Sequence, residues 1–231
     1  MTDHNCFIGN WPFCRLDHAD FESLREEHAA CGIDHGYISS LQSIFYNDFY
    51  EAEVELSEMI GNSGYLHTVI PNPTTQCYEY ALERCFDEFD VKGIRLVPGY
   101  HGYSLEHSGL ELVKGYAREK NIPIFINARM TDERMTHMIH PAVPSAEELA
   151  DFVRSAPDIK IVLCYLKENE IAAVYSICGD CENLWFDTSG SASNLALGNM
   201  PEYIGKTVLG TGFPLRSVKA TALRFKSEIE K

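Results

Sequence analysis

Arg129, Asp132, Arg134, His137 and His140 crowd into one short stretch between Ala128 and Pro141, just past the β-branched run that ends at Asn127. Guanidinium pairs of this kind clamp a carboxylate or phosphate through two parallel N–H bonds. An aspartate beside them can orient a histidine, and a histidine passes a proton near neutral pH. His101, in Tyr100-His101-Gly102-Tyr103, follows a second apolar run and is the other candidate for proton transfer. Catalytic roles are therefore expected for His101, His140 and Asp132. Arg95, Arg129 and Arg134 are expected to hold negative charge, with Tyr100 and Tyr103 as pocket walls. Each group also has an ordinary use: His101 as a loop histidine bonded to a carbonyl, the charged stretch as a salt-bridged loop that closes one end of the fold or meets a partner subunit.

Arg95 lies inside Val91-Lys92-Gly93-Ile94-Arg95-Leu96-Val97. A long cation among apolar neighbours needs a counter-charge, for which Asp187, at the end of Leu184-Trp185-Phe186-Asp187, is the first choice and Asp34 the second. His67 and His35 sit in other apolar runs, and His137 and His140 are spaced to meet on a helical turn. His67, His101, His137 and His140 together form an alternative set of metal ligands. Cys178-Gly179-Asp180-Cys181 has the spacing of zinc or redox pairs, but no second pair follows it and it ends a helix instead of starting one. Cys6 and Cys164 are either space-filling or, with a basic neighbour, nucleophiles.

These residues hang on a repeated unit. Val91 to Asn127 reads as strand, turn, helix and parallel strand, and the rest of the chain divides the same way. Strands are expected to begin near positions 5, 33, 65, 91, 122, 159, 184 and 206. Helix-period segments lie between them, for example Thr75–Phe89 with Tyr78, Ala81, Leu82, Cys85 and Phe86 on one face, and a helix opened by the capping box Ser145 and Glu148. Eight βα units in 231 residues without a Gly/Pro/Ser-rich linker fit a single (β/α)8 TIM barrel spanning 1–231, whose sites lie at the C-terminal ends of the strands. The glycine-rich GxGxxG and GxxxxGK[ST] patterns of open nucleotide-binding sheets are absent.

Thirty-four acidic against nineteen basic residues give a formal charge of -15, which disfavours polyanionic nucleic acid and acidic membrane as partners. The first residues lack a signal-like basic and apolar pattern, and no apolar run approaches membrane-spanning length. A cytoplasmic location is expected, with the eight cysteines mostly reduced and buried. A homodimer is the default assembly, and a small molecule the expected partner.

With the strands placed, the chain resembles the amidohydrolase-related TIM barrels, a family of metal-dependent hydrolases and decarboxylases. The family's strand-one motif Asp-x-His-x-His is matched by Asp3-His4-Asn5-Cys6-Phe7, with Asn5 and Phe7 at the two histidine positions. Its Gly-(Ile/Val)-Lys-Leu-x-Pro is similar to Gly93-Ile94-Arg95-Leu96-Val97-Pro98. Asn127 stands where strand five carries a metal-binding histidine, and Tyr165, or Cys164 under a one-residue slip, at the strand-six histidine. The final Gly-Thr-Asp-x-Pro appears as Gly210-Thr211-Gly212-Phe213-Pro214, with Gly212 at the acid. The resemblance implies a hydrolase or decarboxylase acting on a small anionic or carbonyl substrate, with Asn5, Asn127, Tyr165 and Asp187 lining its pocket. A divalent catalytic ion wants about three protein ligands and an open water position. With those ligands mostly replaced, no metal or other cofactor is expected, and the alternatives are an inactive binding or scaffolding barrel and a hydrolase with its metal moved to the four histidines.

Overall fold

The computed structural model describes residues 1–131, 140–190 and 205–229, with 228 and 229 described by backbone alone. Eight parallel strands follow one another in chain order around a single sheet: β1 Thr2–Ile8, β2 His35–Ser40, β3 Leu66–Val69, β4 Gly93–Leu96, β5 Ile124–Asn127, β6 Ile161–Cys164, β7 Leu184–Asp187 and β8 Thr207–Val208. The segment after β8 returns to β1 through His4 N to Leu209 O, Gly212 N to Asn5 O and Phe7 N to Phe213 O. These bonds close the sheet into a (β/α)8 barrel.

Helices α1 Phe21–Cys31, α2 Phe49–Ile60, α3 Tyr78–Glu88, α4 Pro98–His101, α5 Leu110–Lys120, α6 Ala146–Ser155, α7 Glu168–Cys178 and α8 Val218–Ile229 connect the strands or follow the last one. Local chemistry sets their ends. The Asp20 side chain accepts from Ser23 N at the start of α1, and Gly32 ends it in the left-handed region at φ 68°, a conformation that costs a side-chain-bearing residue about 1–2 kcal/mol. The capping box of Ser145 and Glu148 is formed at α6. Among the described residues no helix is long and apolar enough to cross a membrane.

The two-residue alternation of the strands decides what enters the barrel. Ile94 and Leu96, Ile124 and Ile126, Ile161 and Leu163, Leu184 and Phe186 face the helices in one core. Phe7, Phe125, Val162, Cys164, Tyr165 and Val208 pack together in the interior. A third core, with Cys6, Ile8, Leu24, Ile38 and Val218, lies under α1 and α8. Strands are mostly shorter than their β-branched runs because the run ends turn into loops, but β1 begins at Thr2 instead of near Asn5. Its register against β2 shifts between Asp3 and Cys6. The stretch after β4, read from sequence as a turn, forms the helical turn α4 with Pro98 at its first position, where the missing N–H costs nothing.

Candidate functional site

Arg95 enters the barrel interior from β4 and is fully buried. Its five N–H groups all go to neutral oxygens. Nε donates to Ser39 Oγ at 2.9 Å, Nη1 to Asn5 Oδ1 at 2.6 Å and to Asn127 Oδ1 at 3.0 Å, and Nη2 to the carbonyls of His4 at 3.2 Å and Tyr37 at 3.3 Å. The rings of Phe7 and Phe125 lie against the guanidinium, with centroids 4.7 and 4.9 Å from its carbon. Aromatic faces and oriented dipoles thus supply what a counter-ion was expected to supply. Asp34, the second expected partner, instead holds the N-terminal ammonium at 2.5 Å.

Asp187 reaches Arg95 only through Asn5. The Asn5 amide turns its oxygen to the guanidinium and its Nδ2 to Asp187 Oδ2 at 2.8 Å and Ser189 Oγ at 3.0 Å. Oδ1 of Asp187 accepts from Tyr165 N at 3.1 Å and Ser189 N at 3.2 Å, and the Ser189 hydroxyl donates to the same carboxylate. Burial raises the Asp187 carboxyl to about 6, against the lowering effect of Ser189, Asn5 and Tyr165. The Tyr165 side chain is fully buried beside this layer. Its hydroxyl lies 3.4 Å from the Gly212 carbonyl, and a Cβ on Gly212 would stand 2.9 Å from that hydroxyl. Burial pushes the Tyr165 hydroxyl well above its ordinary range, so it stays protonated.

At the rim, Trp11, Phe13, Phe45 and Tyr100 pack mostly edge to face with centroids 5.4–6.3 Å apart. The Trp11 indole N–H is buried without a hydrogen-bond partner among the described residues. His101 is buried, Nε2 lies 3.2 Å from Ile44 O, and desolvation lowers it to about 4. Tyr103 is buried between the rings of His101 and His107. His67 faces outward from β3 onto Glu53 of α2 at 2.7 Å, and Glu53 also accepts from Ser43 Oγ and Ile70 N. That buried carboxylate ties α2 to the exits of β2 and β3.

Arg129 is held by Glu170 of α7 through both Nη atoms, at 2.7 and 2.5 Å, and by the Tyr165 carbonyl at 2.7 Å. His140 is exposed. Asp132, Arg134 and His137 lie outside the described residues. Arg95, Asn5, Asn127 and Asp187 are thus brought into one layer with Tyr165 packed beside it, while Tyr100 and His101 stand at the rim and Arg129 is engaged behind it; Tyr103, expected as a pocket wall, is instead buried in the core that faces the helices. Sequence reasoning did not assign Ser39, Phe125 or Trp11 to the site, and it placed Phe7 only at a histidine position of the family motif. The small polar run at Thr188-Ser189-Gly190 carried a signal for Ser189, and nothing in the sequence pointed to Ser39.

The residues at the family's metal positions do not fit a divalent ion. Both amide oxygens that Asn5 and Asn127 offer accept from the same Arg95 nitrogen, Phe7 presents a ring, and Gly212 has no side chain. A fixed guanidinium at bonding distance from the remaining donors repels a second cation. The set of four histidines does not assemble from its described members either, since His67 and His101 are committed to Glu53 and the Ile44 carbonyl. Among the described residues the three-ligand group is Asp3, Cys6 and His28, whose ligand atoms lie within 4.8 Å of one another.

The amidohydrolase family model matches residues 69–215. No curated protein sequence matches the chain. Among solved structures, an uncharacterised TIM-barrel protein of Bordetella bronchiseptica superposes with TM-score 0.71 at 13% identity, covering 100% of this chain and 94% of that one. A 2,6-dihydroxybenzoate decarboxylase in complex with 2,6-dihydroxybenzoate gives 0.66 at 12% identity, covering 97% and 91%. A probable 2-pyrone-4,6-dicarboxylic acid hydrolase of Acinetobacter baumannii with citric acid bound gives 0.63 at 11%, covering 100% and 92%. At these identities the likeness establishes the fold.

Proposed function

Because this chain belongs to the amidohydrolase family, we propose that it is a member whose axial cation is the Arg95 guanidinium instead of a divalent metal, and that it binds a small molecule without hydrolysing or decarboxylating it. The observation that carries this reading is the saturation of Arg95. Every N–H is spent on the protein, two of them on the amides at metal-ligand positions, so neither an activating ion nor a free guanidinium is presented to a substrate. The aromatic rim, with a Trp11 N–H that has no hydrogen-bond partner among the described residues, supports a carboxylate-bearing ligand, the class to which the 2,6-dihydroxybenzoate and citric acid bound by two structural neighbours belong. Arg134 keeps in this reading the role expected from the sequence, binding the ligand's negative charge. The protein is read as a cytoplasmic homodimer with no nucleic-acid or membrane partner, in keeping with its charge of -15.

A panel of aromatic and aliphatic carboxylates, screened by thermal shift with chelator present and followed by CO2-release and hydrolysis assays, tests it. Stabilisation without turnover is expected. Turnover that requires added Zn²⁺ or Mn²⁺ would refute it. A metal-free hydrolase or decarboxylase is the second reading, favoured by one observation: Asp187, raised to about 6, exchanges its proton near neutral pH. In that case turnover would persist in chelator, follow a pH profile centred near that value, and involve His101, Asp132 or His140 in proton transfer.

A further inference from the structure

Asp3 and Cys6 face outward from β1, away from the barrel axis, and meet His28 of α1; all three are fully buried. The Asp3 carboxylate is divided in its duties. Oδ1 accepts from Asn5 N at 3.0 Å and Thr211 N at 2.9 Å, which fixes the plane of the group. Oδ2 is turned to His28 Nε2 at 3.1 Å and to the Thr211 hydroxyl at 2.5 Å. On the far side of the imidazole, Nδ1 meets the Tyr65 hydroxyl at 2.9 Å, and the Tyr65 ring stacks on it with centroids 5.7 Å apart. Cys6 Sγ completes the group, and Gly36 makes room for it: a Cβ there would stand 2.9 Å from the sulfur.

We propose that Asp3, Cys6 and His28 form a structural zinc site between β1 and α1, separate from the barrel axis. Two ligands about 2.0 Å from one zinc at a near-tetrahedral angle stand roughly 3.2 Å apart, close to the 3.1 Å between Asp3 Oδ2 and His28 Nε2. A thiolate, an imidazole and a carboxylate are the donor set that selects zinc over magnesium or calcium. Charge favours it as well, since a divalent ion with one thiolate and one carboxylate is neutral overall and carries little burial penalty. The Tyr65 hydroxyl behind His28 and the two amides behind Asp3 are the outer hydrogen bonds that orient metal ligands, and the Thr211 hydroxyl is the neutral oxygen nearest a fourth position. A site with no exposed ligand is loaded as the chain folds, so the ion belongs to folding and not to turnover.

The test is elemental analysis of untagged protein purified without chelator, and of protein unfolded in chelator and refolded with Zn²⁺ or Co²⁺. The expected result is about one zinc per chain in the wild type and in Cys164→Ser, whose sulfur lines the barrel interior, with loss in Cys6→Ser and His28→Gln. The cobalt form should show a thiolate-to-cobalt charge-transfer band that persists in Cys164→Ser. This optical signature is read on the wild type and on Cys164→Ser, so it does not depend on a ligand variant refolding. Absence of both zinc and the cobalt band overturns the site and leaves Asp3 and His28 as a hydrogen-bonded strut between β1 and α1. Zinc that survives Cys6→Ser but is lost in Asn127→Ala overturns it too, and would also defeat the metal-free axis proposed above.

Discussion

Replacing Arg95 with alanine is the most direct perturbation of the barrel axis. It orphans Ser39 Oγ, Asn5 Oδ1, Asn127 Oδ1 and the carbonyls of His4 and Tyr37 together, and leaves a cavity between the rings of Phe7 and Phe125. A buried acceptor left unsatisfied costs about 1–3 kcal/mol, but these acceptors share one network and do not all add. Two of them left without a substitute donor cost about 2–6 kcal/mol, so about 4 kcal/mol is the expected loss. For a domain of this size each kcal/mol moves Tm by about 2–4 °C, giving a fall of about 8–16 °C. Arg95→Lys keeps the charge with three donors instead of five and should lose roughly half as much. Urea unfolding followed by circular dichroism, with Tm as a second reading, measures both. A loss below about 1 kcal/mol for Arg95→Ala, the level of one ordinary hydrogen bond, would show that water replaces the guanidinium and that the axis is a wet pocket, contrary to the argument.

Asp187 sets a pH dependence of definite sign. Its folded value of about 6 lies above the ordinary 3.8, so between those values the folded state binds more protons and stability falls as pH rises, by about 3 kcal/mol in total, before levelling off. Urea midpoints from pH 4 to 7 should show this slope in the wild type and not in Asp187→Asn, and parallel curves would refute it. Glu170→Ala strips Arg129 of its bidentate partner and should cost about 2 kcal/mol, read from the same denaturation curves. Gly212→Asp restores the family's acid at φ +70° against Tyr165 and Arg216. It should destabilise by about 1–2 kcal/mol without gain of bound metal, as thermal unfolding and elemental analysis would show.

The eight-strand plan was legible because apolar runs and helix-period segments alternate along the whole chain, and parallel strands buried on both faces need such runs. The interior position of Arg95 was legible for the same reason, since a cation flanked by Ile94 and Leu96 must take the face that those two leave. Its partners were not. Ser39 on β2 and Asn127 on β5 meet it only because the barrel closes, and the carbonyls of His4 and Tyr37 are exposed to it by the register shift in β1, which no local pattern encodes. The carboxylate expected beside Arg95 proved to be one amide away, because Asn5 accepts and donates at once. His67 carried no signal for its partner either, since Glu53 lies on the buried face of α2 among glutamates that face solvent.

That bridging amide couples the residues at the axis to one another. Asn5 lies between a donor-only guanidinium and an acceptor-only carboxylate, so its orientation is forced: oxygen toward Arg95, nitrogen toward Asp187 and Ser189. A histidine at position 5 would have to present an unprotonated nitrogen to Arg95 and an N–H to Asp187, and its single N–H could not serve both Asp187 and Ser189. Phe7 in turn offers Arg95 a ring face that a metal-binding histidine would withhold once ligated. Arg95, Asn5, Phe7 and Asn127 therefore form one coupled set, and their effects should be non-additive. Asn5→His in the presence of Arg95 leaves Ser189 without the Asn5 donor and keeps a resident cation at the axis, whereas the same change with Arg95 removed restores donors to an axis with no resident charge. A double-mutant cycle of Asn5→His and Arg95→Ala, read by urea unfolding, should give a coupling energy of about 1–3 kcal/mol. Additive losses would mean that the two positions changed independently and that the guanidinium does not stand in for the ion.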